Sequence, residues 1–468
     1  MKSQSLIMIA SICFFILEIL GSNVASAAEC TPAVSVPVSE ERSGIQIDKS
    51  WSGADVAFDA LSHGEKVYFG YYNADRWLTV SELDRRTNMV CHVQLASRFD
   101  GWDSHNSVIL ALDASGRLQI AGNMHASPLV YGAEANTNDI SSTALRPMVG
   151  QDESSVTYPA FIRDLDGRLF FLYRNGISGN GQWFANALSG SKWQRLLSTP
   201  LFASSWQGRP TSAYPSAFRF SRDGYIHLVV VWRRTPDVST NYTISYIRSR
   251  DLVHWSHHNG HPVNLPLDPG NSDLIERTGE GQGLVNSARV TLTPSGSPLV
   301  TYTRYGADGR NVVVLASPDG ARWRHMIIAT ATRQTAMIGG GTIPTAPTFG
   351  DPYFDSSGTG TIVVVFPGEP QRRIHFDAKS LAVLGATLPL PKAVEARPLT
   401  ISPPVGLVGV RKLLRDVRVD GFGGNGKSVG SIVYFTQGIN RDQKRECTQQ
   451  QPAACNPPPS PLIFVPSN

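Results

Sequence analysis

One template recurs through this chain, and it restricts the fold more than any other feature. SVILALDASGRLQIAGN, AFIRDLDGRLFFLYRN, SAFRFSRDGYIHLVVVWRR, ARVTLTPSGSPLVTYTRY and YFDSSGTGTIVVVFPG share it. Each reads as an apolar strand, a tight turn carrying Asp or Ser and a Gly, and a second apolar strand. The turn glycines fall at 116, 167, 224, 296 and 358; Gly64 marks an earlier unit and VRVDGFGGNGKSVGSIVYFTQG a weaker last one. Seven units of roughly fifty to seventy residues, each several strands long, are the pattern of propeller blades. One blade alone leaves both faces of its sheet uncovered, and a closed ring covers them. The predicted fold class is therefore all-β, a seven-bladed β-propeller. A β-sandwich explains short strands but not one template recurring over the whole length.

Composition agrees. Gly and Pro number 42 and 31, and charged residues make up only 17% of the 468, which suits a turn-rich β protein. A formal charge of +4 with no dense Lys/Arg tract gives no reason to expect a nucleic-acid partner. Second strand pairs such as NYTISYIRSRDLVHWS and NVVVLASPDGARWRHMII fill out the units. Within them SRDLVHW and SPDGARW look like degenerate Asp-box turns, in which a downstream Trp closes an Asp-containing hairpin.

The N-terminus reads as an export signal. Lys2 precedes an apolar run from Leu6 to Leu20, then Val-Ala-Ser-Ala-Ala, with a cut expected after Ala27 or Ala28. Glu18 interrupts the run, which is short for a membrane span. The predicted organisation is a signal peptide over 1–28, a catalytic propeller over 29–445 and a Pro/Gln-rich tail over 446–468. The expected location is secreted or periplasmic, without a membrane partner and as a monomer. Cys30, Cys91, Cys447 and Cys455 survive the cut, enough for two disulfides of open connectivity.

Four polar residues stand at strand ends where a ring of blades would gather them. His105 precedes the first core strand of its unit and His125 follows the second; Tyr158 and Arg174 hold the corresponding places one unit on. Tyr214 repeats the Tyr-Pro of Tyr158, and Arg233 and Arg234 follow the next second strand. Equivalent positions in neighbouring blades face one end of the channel, so these groups should ring one mouth. Removing a proton next to a carboxylate needs a base, a cation for the developing charge and an acid for the leaving oxygen. Arg174 suits the carboxylate, and His titrates near neutrality. A Tyr near a fixed cation has its ionised form favoured. The set fits β-elimination on a uronic acid. A glycosidase wants two carboxylates flanking the bond. Asp103, Glu153, Asp164 and Asp166 lie nearby, but the last two belong to the hairpin turn at the far end. The histidines of HWSHHNGH (254, 257, 258 and 261) suggest a surface loop more than a metal site. The glycine strings at 339–342 and 421–426 lack the strand-to-helix setting of a phosphate loop.

The segments DSHNSVILALDASGRLQIAGNMHASPL, TYPAFIRDLDGRLFFLYRNG and AYPSAFRFSRDGYIHLVVVWR resemble the BNR-repeat polysaccharide lyases of seven-bladed propeller fold, including ulvan lyases and related enzymes acting at rhamnose–glucuronate linkages. The resemblance implies catalytic roles for His105, His125, Tyr158 and Arg174. Arg174 would neutralise the uronate, His105 or Tyr158 would exchange protons, and His125 would support binding. Tyr214, with Asn106 and Arg233, would contact an anionic polysaccharide substrate. No cofactor is implied, and a structural divalent cation is not something these residues decide. A glycoside hydrolase on the same scaffold, or a carbohydrate-binding propeller, are the alternative readings.

Overall fold

The computed structural model describes residues 28–341, 343, 345–387, 399–419, 428–438, 440 and 442–467. The expected leader up to residue 27 and the glycine string at 421–426 lie outside these. The described regular structure is β-strand with two short 3-10 turns.

The sheets follow one another as blades. Blade 1 runs through Asp59–His63, Lys66–Tyr72, Trp77–Asp84 and Met89–Arg98. Blade 2 holds Ile109–Leu112, Leu118–Ala121, Tyr131–Ala133 and Ala144–Leu145. Blade 3 holds Val156–Arg163, Leu169–Ile177, Asn180–Ser189 and Lys192–Arg195. Blade 4 is built on Ser212–Pro215, Ile226–Arg233 and Asn241–Ser249, and blade 5 on Arg289–Leu292, Pro298–Tyr305, Asn311–Asp319 and Arg322–Thr330. Blade 6 is built on Thr359–Val365, Arg372–Asp377 and Val383–Thr387.

Blade 7 is made from both ends of the chain. Its order is Arg411–Val419, Ser428–Thr436, Ser460–Pro466, Arg42–Ser50 and Val34–Ser39. The expected boundary at 446 fails here, because Ser460–Pro466 lies between two partners inside the sheet. The Pro- and Gln-rich stretch before it is an excursion between two strands of the blade, closed by the Cys447–Cys455 disulfide. A two-residue parallel contact, Arg418 with Leu61 and Val419 with Ser62, joins blade 7 to blade 1. The Cys30–Cys91 disulfide pins Glu29–Pro32 to the outer strand of blade 1.

The template is one turn repeated. Gly116 donates its N–H to the Asp113 carbonyl, Gly167 to Asp164, Gly224 to Ser221, Gly296 to Thr293 and Gly358 to Asp355. Their φ values run from 78° to 86°, a region open to glycine at little cost. That is why glycine marks the register. Apolar faces then stack blade on blade. Ile162, Phe170 and Trp183 of blade 3 pack with Leu228 and Trp232 of blade 4, and Tyr246 of blade 4 joins Val300 and Tyr302 of blade 5. Phe58, Leu110 and Tyr434 tie blades 1, 2 and 7 into one core. At about 1.5–3 kcal/mol for each fully buried large side chain, these interfaces are what a single blade lacks. The Asp-box-like segments end as expected: Trp255 and Trp323 are buried, and Trp255 donates to the Leu252 carbonyl at 2.9 Å.

Candidate active site

The short connection 102–106 carries Asp103 and His105 into the first strand of blade 2. Asp103 is the hub of the site. Its Oδ1 accepts from the backbone N–H of His105 at 2.9 Å and lies 2.6 Å from His105 Nδ1. Its Oδ2 is hydrogen-bonded to His125 Nδ1. The two imidazoles stack at 4.5 Å with an interplanar angle of 22°. A carboxylate only accepts, so both Nδ1 atoms carry the proton and Nε2 of each ring is the atom left for chemistry. These three residues form the one described group whose His and Asp donor atoms lie within 4.8 Å of one another. The nitrogens sit in direct hydrogen-bond contact with the carboxylate, the arrangement of a proton-transfer unit.

His125 is placed by the neighbouring blade. The backbone N–H of Ala126 donates to Thr157 Oγ1 at 2.8 Å, and that of Val156 donates to the Ser127 carbonyl at 2.6 Å. Tyr158 follows at once, at φ 55°, where the register of the first blade 3 strand shifts between Thr157 and Ala160. Left-handed backbone is costly for a tyrosine. The bulge sets Tyr158 against both His105, at 6.1 Å between ring centroids, and Arg174, whose Cζ lies 4.8 Å above the phenol ring. Among the described residues the Tyr158 hydroxyl makes no hydrogen bond.

Arg174 stands opposite Thr157 in the register of the same hairpin. It is 1% exposed, and its Nε and Nη1 are buried without a partner. Trp183, stacked parallel to Tyr158 at 6.2 Å, completes this side. His105, Tyr158, Trp183, Tyr214 and Asn286 line a cavity of about 550 Å³, with Arg163 and Arg418 also on its wall.

Burial and charge oppose each other in this site. Burial pushes the Asp103 carboxyl up, but its hydrogen bonds to the two histidines hold it well below the usual range. Burial disfavours a charged His105, yet the Asp103 hydrogen bond and the Asp103 and Asp442 charges leave its pKa raised. Burial also raises Tyr158, and the Arg174 charge does not overcome it. Arg174 does favour the ionised form, as expected, but burial outweighs it, so the phenol keeps its proton and can act as a donor.

His105, His125, Tyr158 and Arg174 come together as expected. Tyr214 lies beside them but is not equivalent to Tyr158. Its strand is regular, and its hydroxyl is held by Ser178 Oγ at 2.8 Å and Gly179 N–H at 3.1 Å. Asn106 is buried; its Nδ2 donates to the Asp103 carbonyl at 3.1 Å and its carbonyl accepts from Tyr72 Oη at 2.8 Å. Arg233 is 5% exposed, stacked on Tyr214 and donating to Asn241 Oδ1 and Asn286 Oδ1. Both are buried, hydrogen-bonded supports behind the site, and neither lines the cavity as the substrate-contact expectation required. Asp164 accepts from Arg168 in its distal turn, and Glu153 accepts from the backbone of Val149 and Gly150. In HWSHHNGH, His258 pairs with Asp273, His254 with Asp251, and His257 bonds the Asn271 carbonyl. Sequence reading did not find Trp183, Asn286 or Asp442; Trp183 reads as an ordinary core aromatic of its strand, and the other two come from far along the chain, where the residue pattern gave no signal.

Fold and site define a seven-bladed propeller with one His/Tyr/Arg-lined mouth on the side of blades 2 to 4. The chain belongs to the BNR repeat-containing family, whose model matches residues 66–334. Among solved structures it is similar to the polysaccharide lyase Uly1, at 14% identity and a TM-score of 0.58, over 90% of this chain and 92% of that one. It is also similar to a PL25 ulvan lyase bound to -[GlcA(1-4)Rha3S]-, at 11% identity and a TM-score of 0.57, over 92% and 96%. At such identities the likeness establishes the fold. No curated protein sequence matches the chain.

Proposed function

We propose that this propeller is a polysaccharide lyase that cleaves a uronate-containing glycan by β-elimination, with glucuronate next to rhamnose as the linkage. The observation that carries the proposal is Arg174. A buried guanidinium with two nitrogens unpartnered is unfavourable until an anion completes it. It stands beside two carboxylate-anchored imidazoles and a neutral phenol. A uronate carboxylate matches a guanidinium with two parallel hydrogen bonds. Once it is neutralised there, the C5 proton becomes acidic enough for His105 Nε2 to remove. The electron pair forms the C4–C5 double bond, the C4–O bond breaks, and Tyr158 protonates the departing oxygen. His125 shares Asp103 with His105 and holds that carboxylate in place.

The solved ulvan lyase bound to -[GlcA(1-4)Rha3S]- supports the choice of linkage. A two-carboxylate hydrolase is less well served. Both oxygens of Asp103 are occupied by the histidines, and Asp164 sits in a distal turn. Two disulfides favour an oxidising compartment, and no described helix is long and apolar enough to cross a membrane. On this reading the disulfides fit an exported protein that acts, as a monomer, on an anionic polymer.

The test is ultraviolet absorbance during incubation with ulvan and with a rhamnose–glucuronate gum. A 4,5-unsaturated uronate absorbs, and rising absorbance that is lost in Arg174→Ala is the expected result. New reducing ends without absorbance would replace this reading with hydrolysis. Binding without either signal would leave a carbohydrate-binding propeller.

A further inference from the structure

We propose that Asp442 is a positioning residue for His105, delivered to the site by the blade 7 excursion that follows Ser428–Thr436. Its Oδ1 accepts from both the backbone N–H of Ser104, at 3.1 Å, and Ser104 Oγ, at 2.9 Å. Its Oδ2 lies 3.9 Å from His105 Nδ1. Asn440 fastens the same turn by donating from Nδ2 to the Trp102 carbonyl at 2.9 Å. The connection carrying Asp103 and His105 is thus gripped from the far end of the chain, 338 residues away.

The carboxylate is not simply a surface charge. Its side chain is 14% exposed, and Gly341 lies near enough that a β-carbon added there would sit 3.7 Å from Oδ2. Its backbone has φ 62°, a conformation that Asn and Gly also adopt readily. The charged and titratable groups facing His105 are Asp103, Asp442, His125, Tyr158 and Arg174. Asp103 orients the ring. Asp442 adds a second negative charge on the Nδ1 edge and counters Arg174. Two consequences follow: Nδ1 stays protonated with Nε2 free, and His105 is more basic than Asp103 alone would make it.

Histidine-selective NMR of the full chain, without substrate, tests this directly. Asp442→Asn keeps an acceptor for Ser104 and removes the charge; Asp442→Gly removes both and still accepts the positive φ. The His105 titration midpoint is expected to fall by about half a pH unit or more in both variants. An unchanged midpoint in a folded variant would overturn the proposal. The inference that this tuning serves catalysis rests on the lyase reading, and a kinetic measurement addresses it separately. The limb of the kcat/KM–pH profile that follows His105 should move to lower pH by the same amount. A lowered midpoint in a protein that turns over no uronate polymer would uphold the positioning role and discard the lyase reading.

Discussion

Gly181 faces Arg174 across the long hairpin of blade 3. A β-carbon at 181 would meet Arg174 Cγ at 2.6 Å, and Cδ more closely still. The backbone there pairs regularly, Gly181 with Gly176 and Trp183 with Arg174, and Gly181 is not among the positive-φ glycines. Its missing side chain is therefore the space through which Arg174 runs. Gly181→Ala should push the guanidinium off Tyr158 while the hairpin stays paired. The expected result is a fall in kcat/KM of about a hundredfold, comparable with losing one preorganised charge contact, with a melting temperature near that of the parent. Wild-type kinetics in the alanine variant would show that Arg174 does not need this path.

Asp103 holds two imidazoles with one carboxylate, so one substitution should disable both. Asp103→Asn offers an amide where two N–H groups need an acceptor, and one ring must reorient. Turnover should drop by about 10²–10⁴. The His105 midpoint should also fall, because the charge that opposes its desolvation is gone. Steady-state rates across pH, paired with histidine NMR, check both. A variant that keeps its rate with its midpoint lowered would remove His105 from proton transfer.

Glu134 should add a pH-dependent contribution to stability. It is 1% exposed, its Oε2 accepts from the Leu118 N–H at 3.1 Å, and its Oε1 has no partner. Burial, with the Glu82 charge adding to it, raises its pKa from 4.5 to about 7. A carboxyl raised on folding binds its proton more tightly in the folded state. The contribution of this group to stability is then largest below pH 4.5, falls as pH rises to about 7 and levels off above that. The difference is roughly 3 kcal/mol at most. Urea unfolding at pH 5 and pH 7.5 should show this loss in the parent and a smaller one in Glu134→Gln. Equal losses in both would place the proton elsewhere.

Ending the chain after residue 459 removes Ser460–Pro466 from between its two partners in blade 7. Leu462, Ile463, Phe464 and Val465 are all buried. At about 1.5–3 kcal/mol each, their loss is comparable with the whole stability of a typical domain. The truncated protein should be insoluble or lose its cooperative thermal transition. A soluble product with the parent melting temperature would show that the ring closes without this strand.

The blades and the gathering of the four candidate-site residues were legible because both are written in local pattern. A hairpin whose turn needs φ near 80° selects glycine, and the same selection five times over gives a period. A period of that length, with sheets that cannot cover themselves, leads to a ring. Once the ring is assumed, residues at equivalent strand ends share a mouth, and His105, His125, Tyr158 and Arg174 follow.

Tertiary structure decided what depended on distant partners or on departures from the repeat. Tyr158 and Tyr214 share a motif, yet a bulge turns the first into a free phenol while blade 3 occupies the hydroxyl of the second. The stretch from 446 reads as tail by composition, yet its last strand completes blade 7 and the excursion before it brings Asp442 to His105. Strand pairing between chain ends and a carboxylate docking across the mouth leave no periodic trace in sequence. Their energy comes from contacts that exist only after the ring has closed.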